Sequence, residues 1–200
     1  MPRLADPALP ERRRGQILDA ARNCFRERGF RETTIEEICA EARISPGMLY
    51  RYFGSKADIV AAIALDARAS AESAFEQLNE SEALLDALAD LARTFLQAFS
   101  AEGDRALLPD IWAEAARDPV LAKALKARDA IAAAKLAGAI SRAQRAGGVY
   151  PALTAEDAAE ALLAGLEGLA LRRALWTEED MNAAVRRFRA LALLVLKPKR

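Results

Sequence analysis

Apolar residues in this chain recur three and four positions apart, and alternating β-branched runs are missing, which is the pattern of helix faces rather than half-buried strands. Alanine supplies roughly a quarter of the residues, with Leu, Glu and Arg next, all strong helix formers. The chain is therefore expected to be all-α. Its 200 residues suit one medium domain, or a small domain joined to a larger one, with a sizeable core. No segment repeats at a 30- to 50-residue period, so a solenoid is not expected.

Helix punctuation divides the chain unequally. Residues 1–11, with Pro2, Pro7 and Pro10, read as a mobile arm, and a first helix follows over 11–28, stopped by Gly29. Thr34 followed by Glu37 has the form of a capping box and opens a short second helix, which breaks at Arg43-Ile44. Ser45-Pro46 supplies an N-cap and a first-turn proline for a third short helix, and Ser55 with Asp58 caps a fourth that reaches about residue 77. Longer helices are expected over 81–100, 105–117, 120–146, 154–176 and 177–196, with Thr154-x-x-Asp157 and Thr177-x-x-Asp180 again resembling capping boxes.

Composition removes several function classes. There is no histidine, so no Ser-His-Asp or Cys-His triad and no His-ligated metal site can form. Cys24 and Cys39 are too few for a metal cage or disulfide framework; on apolar stripes they read as small hydrophobes in a reducing compartment. The apolar run 190–196 is too short to cross a bilayer, so a cytoplasmic protein without membrane association is expected. No phosphate-binding glycine loop or metal-ligand spacing is present, so neither an enzyme nor a cofactor is expected. The 29 basic and 29 acidic residues balance overall, but residues 1–56 carry 11 basic and 8 acidic groups, a small excess that includes Arg12, Arg13 and Arg14.

Residues 34–53 read as helix, tight break and a helix of about two turns: a helix-turn-helix. Successive residues of the third helix, placed 100° apart, put Leu49 and Phe53 toward a core. Gly47, Met48 and Arg51 then point outward, with Tyr50 and Tyr52 on the flanks. Gly47 costs about 1 kcal/mol relative to alanine inside a helix, yet lets a phosphate come close. Ser45 can cap and donate to phosphate, Arg51 can fork onto guanine, and the tyrosines can donate to the backbone. Lys56 sits poorly at a helix start unless an anion lies opposite it.

The run Gly29-Phe30-Arg31-Glu32-Thr33-Thr34-Ile35-Glu36-Glu37-Ile38, with Ser45-Pro46-Gly47-Met48-Leu49-Tyr50-Arg51-Tyr52-Phe53-Gly54-Ser55-Lys56, resembles the DNA-binding segment of the TetR family of transcriptional regulators. The resemblance implies a homodimeric repressor whose third helix enters the major groove. It also implies a larger helical C-terminal domain that dimerises and binds a small effector. Carried onto this sequence, Thr34, Ser45, Gly47, Tyr50, Tyr52 and Lys56 would contact phosphates, and Pro46, Met48 and Arg51 would face bases. Two positions depart from the family pattern. Arg43 stands where the turn usually has glycine, so either it adopts the glycine-like backbone or the turn differs slightly, and Met48 replaces a threonine and offers an apolar surface to a thymine methyl.

Farther on, Trp112-Ala113-Glu114-Ala115-Ala116-Arg117-Asp118-Pro119, Ala146-Gly147 and Gly165-Leu166-Glu167-Gly168-Leu169 resemble one effector-domain subgroup of that family. Phe95, Phe99, Leu108, Trp112, Arg128 and Trp176 are the candidate effector-binding residues, although the aromatic ones equally suit a plain core. Arg128 and Lys135 lie near the stripe Leu121, Leu125, Ile131, Ala132 and Leu136. The last two helices carry stripes that suggest an intersubunit four-helix bundle, with Ala161, Leu162, Gly165, Leu169, Val185, Phe188 and Ala192 as candidate interface residues. Residues 197–200 read as a solvated tail.

The combined expectation is an N-terminal three-helix helix-turn-helix domain (residues 1–56) followed by a helical effector-binding and dimerisation domain (57–200). The function is that of a homodimeric regulator that binds a double-stranded DNA operator and responds to a small-molecule effector. The rival is a helical small-molecule binding or scaffold module that does not read DNA.

Overall fold

The computed structural model describes residues 9–63, 78, 83–97, 104–150, 152–176 and 180–198, with only the backbone of 104–106 and 128. The helical spacing is realised as α1 (Leu9–Glu32), α2 (Ile35–Glu41), α3 (Pro46–Tyr50), α4 (residues 56–63), α5 (Leu84–Gln97), α6 (Asp104–Ala115), α7 (Pro119–Arg145), α8 (Ala155–Leu175) and α9 (Met181–Leu196). Among the described residues the one extended pairing is an isolated bridge between Val149 and Pro198. The expected continuation of the fourth helix to residue 77 lies outside the described residues.

Caps fix most boundaries where the sequence places them. Thr34 and Glu37 form the reciprocal capping box, Ser45 accepts from the Met48 amide, and Ser55 accepts from the Asp58 amide. Thr154 accepts from the Asp157 amide at the start of α8. Two ends differ from expectation. Asp180, not Thr177, caps α9, accepting from the Ala183 amide, so that helix starts at Met181. Lys197, expected in a free tail, is a left-handed cap (φ 44°) that turns the chain back so that the Tyr150 amide donates to Leu196 and Lys197 carbonyls.

Burial divides into two cores. The first gathers Ile17, Leu18, Ala21, Phe25, Ile38 and Leu49 from α1–α3 with Ile59, Val60 and Ile63 from α4, and it also takes Leu107 and Ile111 of α6 and Leu121 and Leu125 of α7. The second runs through α5, α7, α8 and α9, with Leu88, Leu136, Ile140, Leu162 and Phe188 essentially sealed. Trp112 packs against both cores and α7 contributes to both, so the small N-terminal unit and the large C-terminal unit meet along α6 and α7.

Burial corrects the expected faces of the last three helices. Leu162, Val185, Phe188 and Ala192 point into their own protomer's core, where α9 packs on α5 and α8, so they cannot form an intersubunit surface. Gly165 is likewise committed internally: a Cβ there would collide with the Leu191 side chain. Leu169 is half-buried against the same core. Of the expected set only Ala161 faces out, on a ridge with Ala164, Gly168 and Leu175 of α8 and near in character to exposed Leu193 and Leu194 of α9. Each helix carries apolar residues on two sides, and periodicity does not say which side meets the same chain. On α7, Ile131 is 61% exposed instead of joining the Leu121-to-Leu136 stripe, and Lys135 is also exposed.

The N-terminal unit is held together at residues 29–33. Gly29 (φ 78°, ψ 165°) breaks α1, as the sequence implies, and the freed backbone groups are taken up one by one. Thr33, buried, donates its hydroxyl to the Gly29 carbonyl at 2.8 Å, with the Cys24 carbonyl at 3.2 Å. Asp110 of α6 accepts from the Phe30 amide at 3.0 Å. Lys56, at the start of α4, donates to the carbonyls of Phe30 (2.7 Å), Thr33 (2.8 Å) and Arg31 (3.2 Å), with its ammonium 4.4 Å from the Phe30 ring centroid. The electronegative partner that Lys56 requires at a helix start is thus supplied by the protein itself, from the carbonyl-rich end of a neighbouring helix. Burial pushes this ammonium below the usual lysine range, and Glu114, Glu32 and Glu37 pull the other way. With its three donors on these carbonyls, Lys56 braces the unit. Lys56→Ala is expected to lower stability by about 2 kcal/mol, the order of hydrogen bonds to a charged group. Thermal or urea unfolding measures this.

Candidate nucleic-acid interface

The turn between α2 and α3 is built without glycine. Arg43 adopts φ 52°; its amide donates to the Ala40 carbonyl at 3.1 Å, and the Ile44 amide donates to the Cys39 carbonyl at 3.0 Å. These two bonds make a Schellman motif with Arg43 at the left-handed position. A side-chain-bearing residue there costs about 1–2 kcal/mol, against which a cation near a helix C-terminus returns about 0.3–1 kcal/mol.

The motif delivers Ser45 to the N-cap of α3, with Pro46 in its first turn, and α3 then docks by one face. Leu49 is fully buried and Phe53 nearly so, as their spacing predicts. Ser45, Pro46, Gly47 and Arg51 are exposed, Tyr50 is 54% exposed, and Met48 is half-buried. A Cβ on Gly47 would meet nothing within 4 Å, so the gap at this position opens to solvent and not to the protein's own interior. Tyr52 is half-buried against the N-terminal core, closer to it than a pure surface contact would be. Thr34 is exposed; its hydroxyl oxygen accepts from the Glu37 amide, which leaves the hydroxyl hydrogen for an outside acceptor. The bond from the Thr34 amide holds Glu37 below the usual carboxylate range, with the Arg28 guanidinium helping.

The basic run beside this face is partly engaged. Arg13 donates to Gln16 at 2.7 Å, Gln16 donates to the Ala42 carbonyl at 2.7 Å, and the Arg14 guanidinium lies 5.5 Å from the Phe53 ring centroid. The start of α1 is thereby fastened to both helices of the motif. Sequence reasoning missed Thr33 and Asp110. A buried threonine next to a glycine stop was a readable signal for the first, whereas nothing in the sequence pairs Asp110 with an amide 80 positions away.

The candidate effector residues are only partly assembled. Phe95 and Leu108 are buried in the C-terminal core, with half-buried Trp112 packed on it. Phe99 and the side chain of Arg128 lie outside the described residues. Trp176 is 51% exposed at the C-cap of α8, with the Arg172 guanidinium 4.2 Å from its ring. An open groove of about 520 Å³ lies along α1 and α2, lined by Gln16, Asp19, Asn23 and Glu41. Cys24 and Cys39 are buried free thiols, and burial raises the pKa of both, which makes them poor nucleophiles. Among the described residues no three His, Cys, Asp or Glu side chains gather as a metal site, and no helix is long and apolar enough to cross a membrane.

The surface so formed has a short, capped helix offering an arginine, a tyrosine and an open glycine, on a unit whose apolar side chains face inward. That is the form of a helix that enters a DNA major groove. Comparison with known proteins agrees over both units. Residues 17–63 match the family model of bacterial regulatory proteins of the TetR family, and residues 82–193 match the BetI-type transcriptional repressor C-terminal domain. The chain is 33% identical over 151 residues to the HTH-type transcriptional regulator UidR of Escherichia coli K12, which covers 76% of this chain and 75% of that one. Its fold superposes on Salmonella enterica GusR with a TM-score of 0.78 at 30% identity, covering 97% and 98% of the two chains. It also superposes on the Thermus thermophilus FadR repressor, solved in complex with lauroyl-CoA, with a TM-score of 0.68 at 25% identity over 90% and 93%. A reading helix turned outward, two family models placed end to end, and relatives that span both units lead to one assignment: this chain belongs to the TetR family of transcriptional regulators.

Proposed function

We propose that the protein is a homodimeric repressor that binds a palindromic operator through two copies of α3 and leaves it when a small molecule occupies the C-terminal unit. One observation carries the reading: α3 buries Leu49 while Tyr50, Arg51 and the open side of Gly47 face solvent. Arg51 reads a base, Met48 meets an apolar base edge, and Thr34, Ser45, Gly47, Tyr50 and Tyr52 hold phosphates, with Pro46 setting the approach of the helix. Residues 1–56 act as the DNA-binding domain and 57–200 as the effector and dimerisation domain, with α4 shared between them. The lauroyl-CoA in the Thermus thermophilus FadR complex supports a small molecule as the effector class. We place that molecule against Phe95, Leu108 and Trp112. The mechanism needs no catalysis, and a cytoplasmic protein fits it.

Dimerisation is assigned to the outward ridge of α8 and α9: Ala161, Ala164, Gly168, Leu193 and Leu194. Gly168 sits inside a helix with nothing within 4 Å of where its Cβ would be, so within one protomer its cost of about 1 kcal/mol relative to alanine has no packing reason. The close approach of a second helix supplies one. Coupling runs through α6, where Asp110 grips the Phe30 amide and Trp112 touches both cores. An effector that shifts α6 changes the angle of the DNA-binding unit and thus the spacing of the two reading helices, which must lie about 34–36 Å apart. By linkage, DNA weakens effector binding by the same factor.

Selection from a random duplex pool at fixed salt is expected to enrich a palindrome; failure to enrich one favours a helical binding module that does not read DNA. On the enriched site, Arg51→Ala is expected to cost about 1–3 kcal/mol and to relax one base position. Gly168→Leu is expected to yield folded monomers in sedimentation analysis, with protomer helicity unchanged. Asp110→Ala is expected to weaken operator binding by about 0.5–2 kcal/mol and to blunt the preference among half-site spacings, with binding to unrelated duplex unaltered in titrations.

A further inference from the structure

We propose that Arg43, in the turn before α3, is an additional DNA-backbone contact that grips a phosphate beside the groove entered by α3. The inference rests on the DNA-binding reading and extends it to a position where the family pattern has no side chain. Arg43 occupies a left-handed backbone conformation (φ 52°) that side chains disfavour, and its side chain is exposed. No hydrogen bond or ion pair holds its guanidinium among the described residues. Glu41, the nearest acid along the chain, accepts from Asn23 of α1 at 3.0 Å and makes no ion pair with Arg43. Arg43 stands two residues before the N-cap Ser45, so its side chain leaves from the turn that brings α3 to the groove. A strained, unpaired cation at the rim of an interface is the kind of outlier from which function can be inferred. Because it lies off the helix that reads base edges, it meets phosphate rather than bases and adds affinity without sequence preference.

Stability and binding separate this role from a structural one. Arg43→Gly relieves the backbone strain, so its Tm is expected to rise by about 2–4 °C. Its operator affinity is nevertheless expected to fall. The slope of log K against log salt is expected to shrink by about 0.9 per protomer, so that over a dimer the loss of affinity between 50 and 200 mM salt becomes about tenfold smaller than in the wild type. Arg43→Asn, which tolerates the left-handed conformation without a charge, should behave as the glycine variant does, and Arg43→Lys should keep most of the wild-type slope. The enriched palindrome and a mixed-sequence duplex should both show the change. A glycine variant with the wild-type salt slope overturns the proposal, as does one that binds DNA less well only because it unfolds. A wild-type protein that binds no duplex overturns the regulator reading itself, and that failure is seen before any variant is compared.

Discussion

The break at Gly29 exposes backbone groups that have no helical partner, and the N-terminal unit is organised around satisfying them. A buried amide or carbonyl left unmatched costs on the order of 1–3 kcal/mol, comparable to a large share of a small domain's stability. Thr33, Lys56 and Asp110 each come from a different element and converge on residues 24 to 33. Their convergence fixes α4 and α6 against the end of α1. The helix-turn-helix then needs only its own caps and the burial of Ile38, Leu49 and Phe53 to hold α3 outward.

In the proposed mechanism the same junction is what makes the DNA-binding unit responsive. Of its three anchors, Thr33 and Lys56 belong to the N-terminal unit, whereas Asp110 belongs to a helix whose neighbour Trp112 packs into the C-terminal core. On that reading a displacement of α6 reaches the N-terminal unit through a directional hydrogen bond and a shared, short-range apolar contact. Small shifts at a packed interface are transmitted rather than absorbed, because protein cores are close-packed.

Much of the motif was legible because its signals are local. Capping pairs such as Thr34 and Glu37, the Ser45-Pro46 helix start, and the burial of Leu49 and Phe53 depend on residues within one or two turns of one another. At Arg43 the sequence left two paths open, a left-handed residue or an altered turn, and the structure takes the first. The roles of Lys56, Trp176 and the α9 stripe were not legible. Lys56 looks like a cation waiting for phosphate until the end of α1 is seen to lie against it. Phe188 and Val185 look like an interface stripe until α5 and α8 are seen to cover them.

By itself, then, the sequence determined the helical class, the order of short and long helices, the capped reading helix and the residues on its two faces. Each follows from torsional preference, hydrogen bonding or periodicity over a few residues. Only the tertiary structure decided which apolar face of α8 and α9 belongs to the protomer, that Lys56 is spent inward, and that Asp110 joins the two units. Those choices depend on which distant segments come to share a core, and helical spacing, which repeats identically on every side that carries apolar residues, holds no record of the neighbour.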